Sequence, residues 1–368
     1  MAGWGGLSRL GSPMAPSGDA QVTARAYRRG DEADIQRLFE RAFGQSRSLE
    51  QWRWKFELGL GEVAIRVLER DGRVAGHLAW QRFDTFVGGQ RSSSIATGVD
   101  LMIDPDIQGR GFGAELVRKP AIANVGHTVS FPTEQTVALA SRPGQENRIH
   151  LIGRLPQWVR WRSPVALAGD HTGLHRLARM LAGAGLSALR LGGSLAGRVA
   201  VEELDDFDAE FDQLSQRLAG IAPCIRVRDA AYLGWRWKQQ PDVSWQTIAA
   251  RSPAGELLGY AVYGRGPAPH DGAEARGRVV DLLAADPKAT RCLLAAAAER
   301  LEASGCRIVS FECADPRPWA RRAPYLAGFA PRGFGPNVTC RRIRANAASS
   351  LPEKLGNWYL TLGDTDHV

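Results

Sequence analysis

The chain has 368 residues, 44% of them hydrophobic and 23% charged, which is enough for two ordinary globular domains and excludes wholesale disorder. Its formal net charge of +8 favours an anionic partner, such as a phosphorylated cofactor, nucleic acid or an acidic membrane surface, without choosing among them. The five cysteines have neither CxxC nor His-flanked spacing, so they indicate reduced thiols rather than a metal site or a disulfide framework.

Residues 1–21 are rich in Gly, Ser and Pro and lack periodicity, so we expect them to be a flexible leader. They contain no continuous apolar core of the kind found in signal peptides, and no later run approaches the roughly 18 apolar residues of a membrane span. We therefore expect a soluble, cytoplasmic protein.

The first ordered elements are predicted in the order strand, helix, hairpin and strand. A strand (TARAYRR) precedes a helix (ADIQRLFERAF) with its apolar residues on one face, and Asp71-Gly72 marks a hairpin between two strand-like runs. The next strand (ATGVDLMI) leads into a glycine-rich loop. A helical segment (AELVRKPAIANVG), which Pro120 should end or kink, and a strand (HTVSF) follow. This order predicts a mixed α/β fold.

Three short runs recur in the same order in the second half of the chain. WRWK at 52–55 returns at 235–238, VDL at 99–101 returns at 280–282, and VSF at 129–131 returns at 309–311, with offsets of 183, 181 and 180. Such nearly constant spacing predicts two copies of one fold. Because WRWK occurs in both copies, its Trp residues are expected to pack in the core or between domains. The predicted divisions are a leader (1–21), an N-terminal domain (22–165), a helical linker (166–197), a C-terminal domain (198–345) and a tail (346–368).

The sequence QGRGFG, from Gln108 to Gly113, lies between a strand-like run and a helix. Glycines let the backbone turn with its N–H groups inward, and the following helix adds the positive end of its dipole, so this glycine loop favours a pyrophosphate. Its spacing differs from the GxGxxG of a Rossmann site and from the GxxxxGK[ST] of a P-loop. A purely structural turn remains an alternative.

The strand, the QxxGxG pattern, the helix and Asp104-Pro105 at the strand exit together resemble the central motif of the GNAT (GCN5-related) N-acetyltransferase superfamily. With the duplication, the chain is similar to tandem-GNAT proteins whose second copy is degenerate. The resemblance implies an α/β (α+β) fold of two GNAT-like domains, each with a mixed, mostly antiparallel central sheet flanked by helices. It also implies acetyl-CoA as cosubstrate, with the pantetheine beside the backbone of Met102 and Ile103. The remaining implied contacts are Gln108, Gly109, Arg110, Gly111, Phe112, Gly113 and Asn147.

Acetyl transfer to an amine needs a base, because an amine with a pKa of about 10.4 is mostly protonated at neutral pH. Asp100 on the central strand and Glu134 after the HTVSF strand are the candidate bases, and a strand N–H near Ile103 would stabilise the oxyanion. The resemblance implies a later helix with a Tyr that reprotonates the CoA thiolate. That Tyr is absent from QENRIHLIGRL, where His150 is the candidate acid, whereas the second copy has Tyr325. A surface or packing role of His150 is an equal alternative.

The second copy lacks the glycine loop, because Thr290, Arg291, Leu293 and Ala295 stand at the positions of Gln108, Gly109, Gly111 and Gly113. We expect this copy to bind no CoA in the same way, and instead to shape the substrate cleft or to support the first domain.

The C-terminal run NWYLTLGDTDHV combines a strand-like aromatic stretch with two acidic residues. It could close over the cleft, with Asp364 and Asp366 contacting a cationic amine, or it could form an exposed tail. Its aromatic residues favour burial and count against the exposed tail.

These features predict an N-acetyltransferase that moves an acetyl group from acetyl-CoA to a primary amine of a small molecule, such as an amino sugar. The alternative is a catalytically silent tandem-GNAT module that binds acyl-CoA or a protein partner, which the missing Tyr favours. Nucleic acid is not expected as a partner, because the arginines are dispersed rather than clustered. A homodimer is left open.

Overall fold

The computed structural model describes residues 21–118, 120–140, 149–162, 199–265, 276–344, 347 and 349–366. The predicted helical linker, nearly all of the predicted leader and Asn147 lie outside these residues. Its strands, labelled in chain order, are β1 (Thr23–Ala26), β2 (Val63–Arg70), β3 (Arg73–Arg82), β4 (Thr85–Val87), β5 (Gln90–Ser92), β6 (Ile95–Ile103), β7 (His127–Ser130), β8 (His150–Trp161), β9 (Ala200–Glu203), β10 (Cys224–Arg226), β11 (Gln246–Arg251), β12 (Leu257–Arg265), β13 (Arg276–Ala284), β14 (Ile308–Ala314), β15 (Ala330–Arg342) and β16 (Trp358–Thr361).

The α-helices flank these strands, and one of them continues into a π-helical turn (Gly234–Lys238). They are α1 (Glu32–Phe43), α2 (Leu49–Phe56), α3 (Phe112–Val117), α4 (Glu134–Ala140), α5 (Ala209–Arg217), α6 (Ala230–Leu233), α7 (Pro287–Ala303) and α8 (Arg322–Leu326). Short 3-10 turns lie at Pro105–Ile107, Leu351–Glu353, Leu355–Asn357 and Leu362–Asp364. None of the helices in the described ranges is long and apolar enough to cross a membrane.

Local sequence explains how the main helices begin and end. Helix α1 ends at Gly44, whose left-handed φ of 69° lets its N–H bond the carbonyl of Glu40. The Ser48 hydroxyl caps α2 by accepting the N–H of Gln51, and the Asp286 carboxylate caps α7 in the same manner. Each of these helices therefore has a defined end that fixes the loop beside it.

The main sheet has the strand order β1-β2-β3-β6-β7-β15-β8-β14-β13-β12-β11-β9. The order is mirrored about its centre, since β15 and β8 form an antiparallel pair and each half then runs outward through corresponding strands. Within this order β6 pairs with β7, and β13 pairs with β14, in parallel, while the other neighbouring strands are antiparallel. The predicted class, a mixed and mostly antiparallel sheet flanked by helices, is confirmed.

The two parts of the chain exchange their last strands. Strand β15 from the second half (residues 199–366) lies between β7 and β8 of the first half (residues 21–162), and β8 lies against β14. The exchange joins the strands of both halves into one continuous sheet.

The helix after the glycine loop ends at Val117, before Pro120, as expected from the missing N–H of proline. One sequence-based element prediction is corrected. The segment that the resemblance assigned to the family's later helix is strand β8 from His150 onward. Its pairing with β15 on one edge and with β14 on the other holds this segment in an extended conformation.

The two WRWK runs meet in the core. The rings of Trp54 and Trp235 stack with centroids 5.0 Å apart, and each indole N–H donates to the backbone carbonyl of the other residue, at 2.9 and 3.2 Å. Both side chains are buried. The predicted packing role of these Trp residues is thus confirmed, and it joins the first half to the second.

Candidate functional site

Strands β6 and β7 separate part of the way along their length. They pair from Ile95 with His127 to Gly98 with Ser130, and no described residue beyond this point continues their pairing. On its other edge β6 carries a bulge opposite β3, where Asp100 has a φ of 52°. A non-glycine residue in the left-handed region is uncommon and is found at functional sites more often than elsewhere. We call the opening beyond Gly98 and Ser130 the first gap.

The first gap opens into a cleft of about 1100 Å³ that both halves of the chain line. A cleft of this size is typical of small-molecule and cofactor sites. The first half contributes both apolar and polar side chains, and the second half contributes mainly polar ones. Lining residues include Phe39, Trp54, Leu78, Trp80, Leu101 and Ser130 from the first half, and Arg236, Gln240, Asp242, Trp245, Arg278 and Asp366 from the second.

The glycine loop follows β6 after a short 3-10 turn, and its residues 108–111 are exposed to solvent. Buried Ile107 anchors the turn that precedes it, and the Gln108 amide donates a hydrogen bond of 3.0 Å to the carbonyl of Ile103. Gly109 and Gly111 have φ values of 78° and 89°, which L side chains rarely adopt. A Cβ at either position would meet no atom within 4 Å, so the space over the loop backbone is open.

The other predicted CoA contacts lie around this loop. Helix α3 begins immediately after Gly111, with Phe112 and Gly113 half-buried and Arg110 exposed. The Met102 side chain is buried in the core, and Ile103 packs beside α3, so only their backbones are candidates for ligand contact. The glycine loop itself does not line the cleft, but Leu101, on the preceding strand β6, does.

Asp100 lies in the cleft wall as a buried carboxylate between two cations. It accepts hydrogen bonds from Arg47 at 2.5 Å and Lys55 at 2.7 Å, while its backbone carbonyl is 2.8 Å from Nδ1 of His77. Burial opposes ionisation of Asp100, but the charges of Lys55 and Arg47 outweigh it and hold its pKa well below the usual value. A carboxylate with so low a pKa is a weak base at neutral pH.

His77 is a buried packing residue that does not line the cleft. Burial lowers the pKa of His77 to about 4, so its ring is neutral at pH 7. The ring packs edge-on against Phe56.

The structure does not bring Glu134 and His150 to the cleft. The Glu134 side chain is 75% exposed at the start of α4 and pairs with Arg154 at 3.2 Å. His150 is exposed at the start of β8 and lines a separate cavity of about 800 Å³ with Glu353. Tyr325, at the corresponding place in the second copy, is 43% exposed and stacks edge-on against a Trp ring.

The second half contains an equivalent gap, and the chain itself fills it. Strands β13 and β14 pair in parallel as far as Val279 with Phe311. Beyond that point β16 pairs antiparallel with the end of β14, and the buried Tyr359 hydroxyl donates to the backbone carbonyl of Leu282 on β13. The segment corresponding to the glycine loop is the regular start of α7. Strand β16 therefore occupies the second gap.

A buried polar network fastens the C-terminal segment in the second gap. Arg228 pairs with Asp364 at 2.6 Å and with Asp281 at 3.3 Å, and the Thr361 hydroxyl donates to Asp281 at 2.8 Å. All four side chains are buried. The expectation that Asp364 contacts a cationic amine was wrong, because Arg228 already neutralises it. Asp366 does line the cleft, and burial of the aromatic residues of β16 excludes the exposed tail.

Several residues of the cleft were not predicted from the sequence. Gln240, Asp242 and Trp245 follow the second WRWK run in a loop without any motif, and Arg278 lies on an ordinary strand. Their only signal in the sequence was their position directly after the repeated run or on the repeated strand.

Residues 23–122, which contain the glycine loop and strand β6 on one side of the first gap, match the family model for the acetyltransferase (GNAT) domain. This part of the chain is a GNAT acetyltransferase domain. No curated protein matches the sequence.

Solved structures of acyltransferases share the fold of nearly the whole chain. A probable N-acyltransferase from Enterococcus faecalis V583 is 12% identical, with a TM-score of 0.62 over 89% of this chain and 74% of that one. A GCN5-related N-acetyltransferase from Anabaena variabilis is 15% identical, with a TM-score of 0.59 and the same coverage. N-myristoyltransferase of Saccharomyces cerevisiae, solved with myristoyl-CoA, is 9% identical, with a TM-score of 0.57 over 92% and 88%. At these identities the likeness establishes the fold.

Proposed function

We propose that the chain is a cytoplasmic N-acetyltransferase that uses acetyl-CoA to acetylate a primary amine of a small molecule, such as an amino sugar. The observation that carries this proposal is the first gap, which lies beside an exposed glycine loop and opens into a cleft of about 1100 Å³. A GNAT domain supplies the acyl-transfer chemistry that such a gap would serve. Five free cysteines suit the reducing cytoplasm.

The loop suits the pyrophosphate of a CoA thioester. Gly109 and Gly111 leave backbone N–H groups without covering side chains, and the start of α3 adds a partial positive charge. The unpaired edge of β6 beyond Gly98 would hold the pantetheine beside Met102 and Ile103. In this arrangement a β6 N–H near Ile103 polarises the thioester carbonyl as the amine attacks.

The amine must lose a proton, and the departing thiolate must gain one. Of the three predicted catalytic residues only Asp100 lines the cleft, and its pairing with Arg47 and Lys55 suits it to fixing the bulge of β6 rather than to accepting a proton. We assign proton transfer to water in the cleft, because neither Glu134 nor His150 lies there.

We also propose that the chain contains one acyl-CoA site and two copies of the GNAT fold, at 22–165 and 198–345. The mirrored strand order and the near-constant sequence offsets support the duplication. The filling of the second gap by the tail supports a single site. In this arrangement the second copy forms part of the wall of the cleft.

The second candidate function is a silent module that binds acyl-CoA without turnover. It is favoured by the exposed positions of Glu134 and His150 and by the lowered pKa of Asp100, because these leave the cleft without an evident base or acid.

A CoA-release assay separates the two candidates. Acetyl-CoA and myristoyl-CoA would each be supplied with a panel of primary amines, while calorimetry measures the binding of both thioesters. We expect acetyl-CoA to bind and to release CoA only when an amine is present. Binding without release across the panel would establish the silent module, and preferred turnover of myristoyl-CoA would overturn the acetyl assignment.

A further inference from the structure

Gln240 presents an unpartnered buried donor in the cleft wall. Its side chain is 5% exposed, and its Oε1 accepts the indole N–H of Trp245 at 2.9 Å. Because that N–H can only donate, the hydrogen bond fixes which end of the Gln240 amide is oxygen. The Nε2 atom then has no hydrogen-bond partner among the described residues. A buried donor left unpaired is unfavourable, so it points to an acceptor atom that enters with a ligand.

Asp242 lies two residues further along the same loop and supplies a negative charge at the cleft. It is exposed and accepts a hydrogen bond of 2.6 Å from the hydroxyl of Ser48, which caps α2 in the first half. No Lys or Arg within the described ranges forms an ion pair with it. The loop from the second half thus meets the α1–α2 loop at the cleft, with its carboxylate still able to attract a cation.

Three cationic side chains of the cleft wall are held by other groups. Arg236, also in the cleft wall, donates to the backbone carbonyls of Gly363 at 3.3 Å and Thr365 at 2.9 Å. Arg47 and Lys55 are held by Asp100. The Asp242 carboxylate forms no ion pair with a described Lys or Arg, so it can pair with the ammonium group of a ligand.

We propose that the second half of the chain supplies an acceptor subsite in which Gln240 donates to a hydroxyl oxygen and Asp242 binds the ammonium group of a hydroxylated amine. This inference rests on the proposed function and extends it, because it assigns acceptor recognition to the half without a CoA site. An amino sugar or an amino alcohol carries both groups on one small skeleton, whereas a simple alkyl amine satisfies only the carboxylate.

Two variants test the subsite, each with a matched control. Asp242→Asn removes the exposed charge, and Gln240→Met keeps the side-chain length without the donor. The controls are Asp205→Asn and Gln239→Met, which change exposed residues that do not line the cleft. The probes are glucosamine and cyclohexylamine, two ring amines of which only the first carries hydroxyl groups, each assayed with acetyl-CoA. Thermal melting first establishes that every variant is folded.

We expect Asp242→Asn to raise the KM for both amines roughly tenfold or more, because it removes a charge-assisted contact. Gln240→Met should lower kcat/KM for glucosamine about two- to tenfold and leave cyclohexylamine unchanged. The KM for acetyl-CoA should stay constant in both variants. Unchanged kinetics in both variants, or equal losses for the two amines in Gln240→Met, would overturn the subsite.

Binding measurements keep the subsite testable if the proposed function fails. Should the native chain release no CoA with either amine, calorimetry of glucosamine alone decides the matter. Binding to the native chain that both variants weaken and both controls preserve would support the subsite. Absent binding, or binding that the two variants leave unchanged, would overturn it.

Discussion

Replacing Gly111 by Leu, the residue at the corresponding place in the second copy, separates the ligand role of the glycine loop from its folding role. Gly111 has a φ of 89°, and a Cβ there meets no atom within 4 Å, so the substitution strains the backbone without a steric clash. The left-handed conformation costs an L residue roughly 1–2 kcal/mol. The fold should survive this loss.

Gly255 provides a matched control for the strain. It has a φ of 83°, lies in the turn between β11 and β12 of the second half, and also has open space around its Cβ position. Gly255→Leu should therefore lower the free energy of unfolding by a similar amount, about 1–2 kcal/mol, far from the proposed CoA site.

The two variants should differ in their affinity for acetyl-CoA. Leu at 111 would cover the loop amides and cost one or two charge-assisted hydrogen bonds to the pyrophosphate, each worth about 1.5–3 kcal/mol. We expect calorimetry to give roughly 10- to 25,000-fold weaker binding for Gly111→Leu and native affinity for Gly255→Leu. Equal affinity in the two folded variants would refute the loop assignment.

Three further predictions concern stability, measured by urea unfolding. Asp100→Asn should cost about 3 kcal/mol at pH 7 because it unpairs buried cations. The folded pKa of Asp100 is depressed, so its stabilising effect is complete above the unfolded value of about 3.9 and should fade as the pH drops below that value. Trp54→Ala should cost about 3–5 kcal/mol, because it removes the stack on Trp235. Thr361→Val should cost about 1–2 kcal/mol by breaking the hydrogen bond to Asp281, with acetyl-CoA affinity unchanged.

Each of these predictions has a distinct contrary outcome. A difference between native and Asp100→Asn proteins that grows as the pH falls below about 4 would contradict the ion-pair account. A loss under about 1 kcal/mol for Trp54→Ala would mean that the stacked pair adds little to the contact between the halves. Weaker acetyl-CoA binding by Thr361→Val would mean that the segment filling the second gap also affects the proposed CoA site.

The sequence was most informative where chemistry is local. The glycine loop needs left-handed φ values at Gly109 and Gly111, and that requirement is visible as glycine itself. The repeated WRWK run predicted packing, which the stacked Trp54 and Trp235 confirm, because large aromatic residues at repeated positions have few other uses.

The rest depended on contacts between distant parts of the chain. The resemblance implied a helix at the start of strand β8, and the sequence could not correct this because the partners of β8, β14 and β15, lie some 150 residues or more away in the chain. Strand alternation then turns His150 away from the cleft. Gln240 is distinguished from the other glutamines only by its burial and by its hydrogen bond with Trp245, which fixes the orientation of its amide. No local sequence pattern could have predicted either feature.

A structure determined with acetyl-CoA bound would test the central claim most directly. We predict one ligand per chain, with its pantetheine between β6 and β7, its pyrophosphate at the amides of Gly109 to Gly113, and β16 still between β13 and β14. Acetyl-CoA lying between β13 and β14 with β16 displaced, or bound away from the glycine loop, would contradict the assignment.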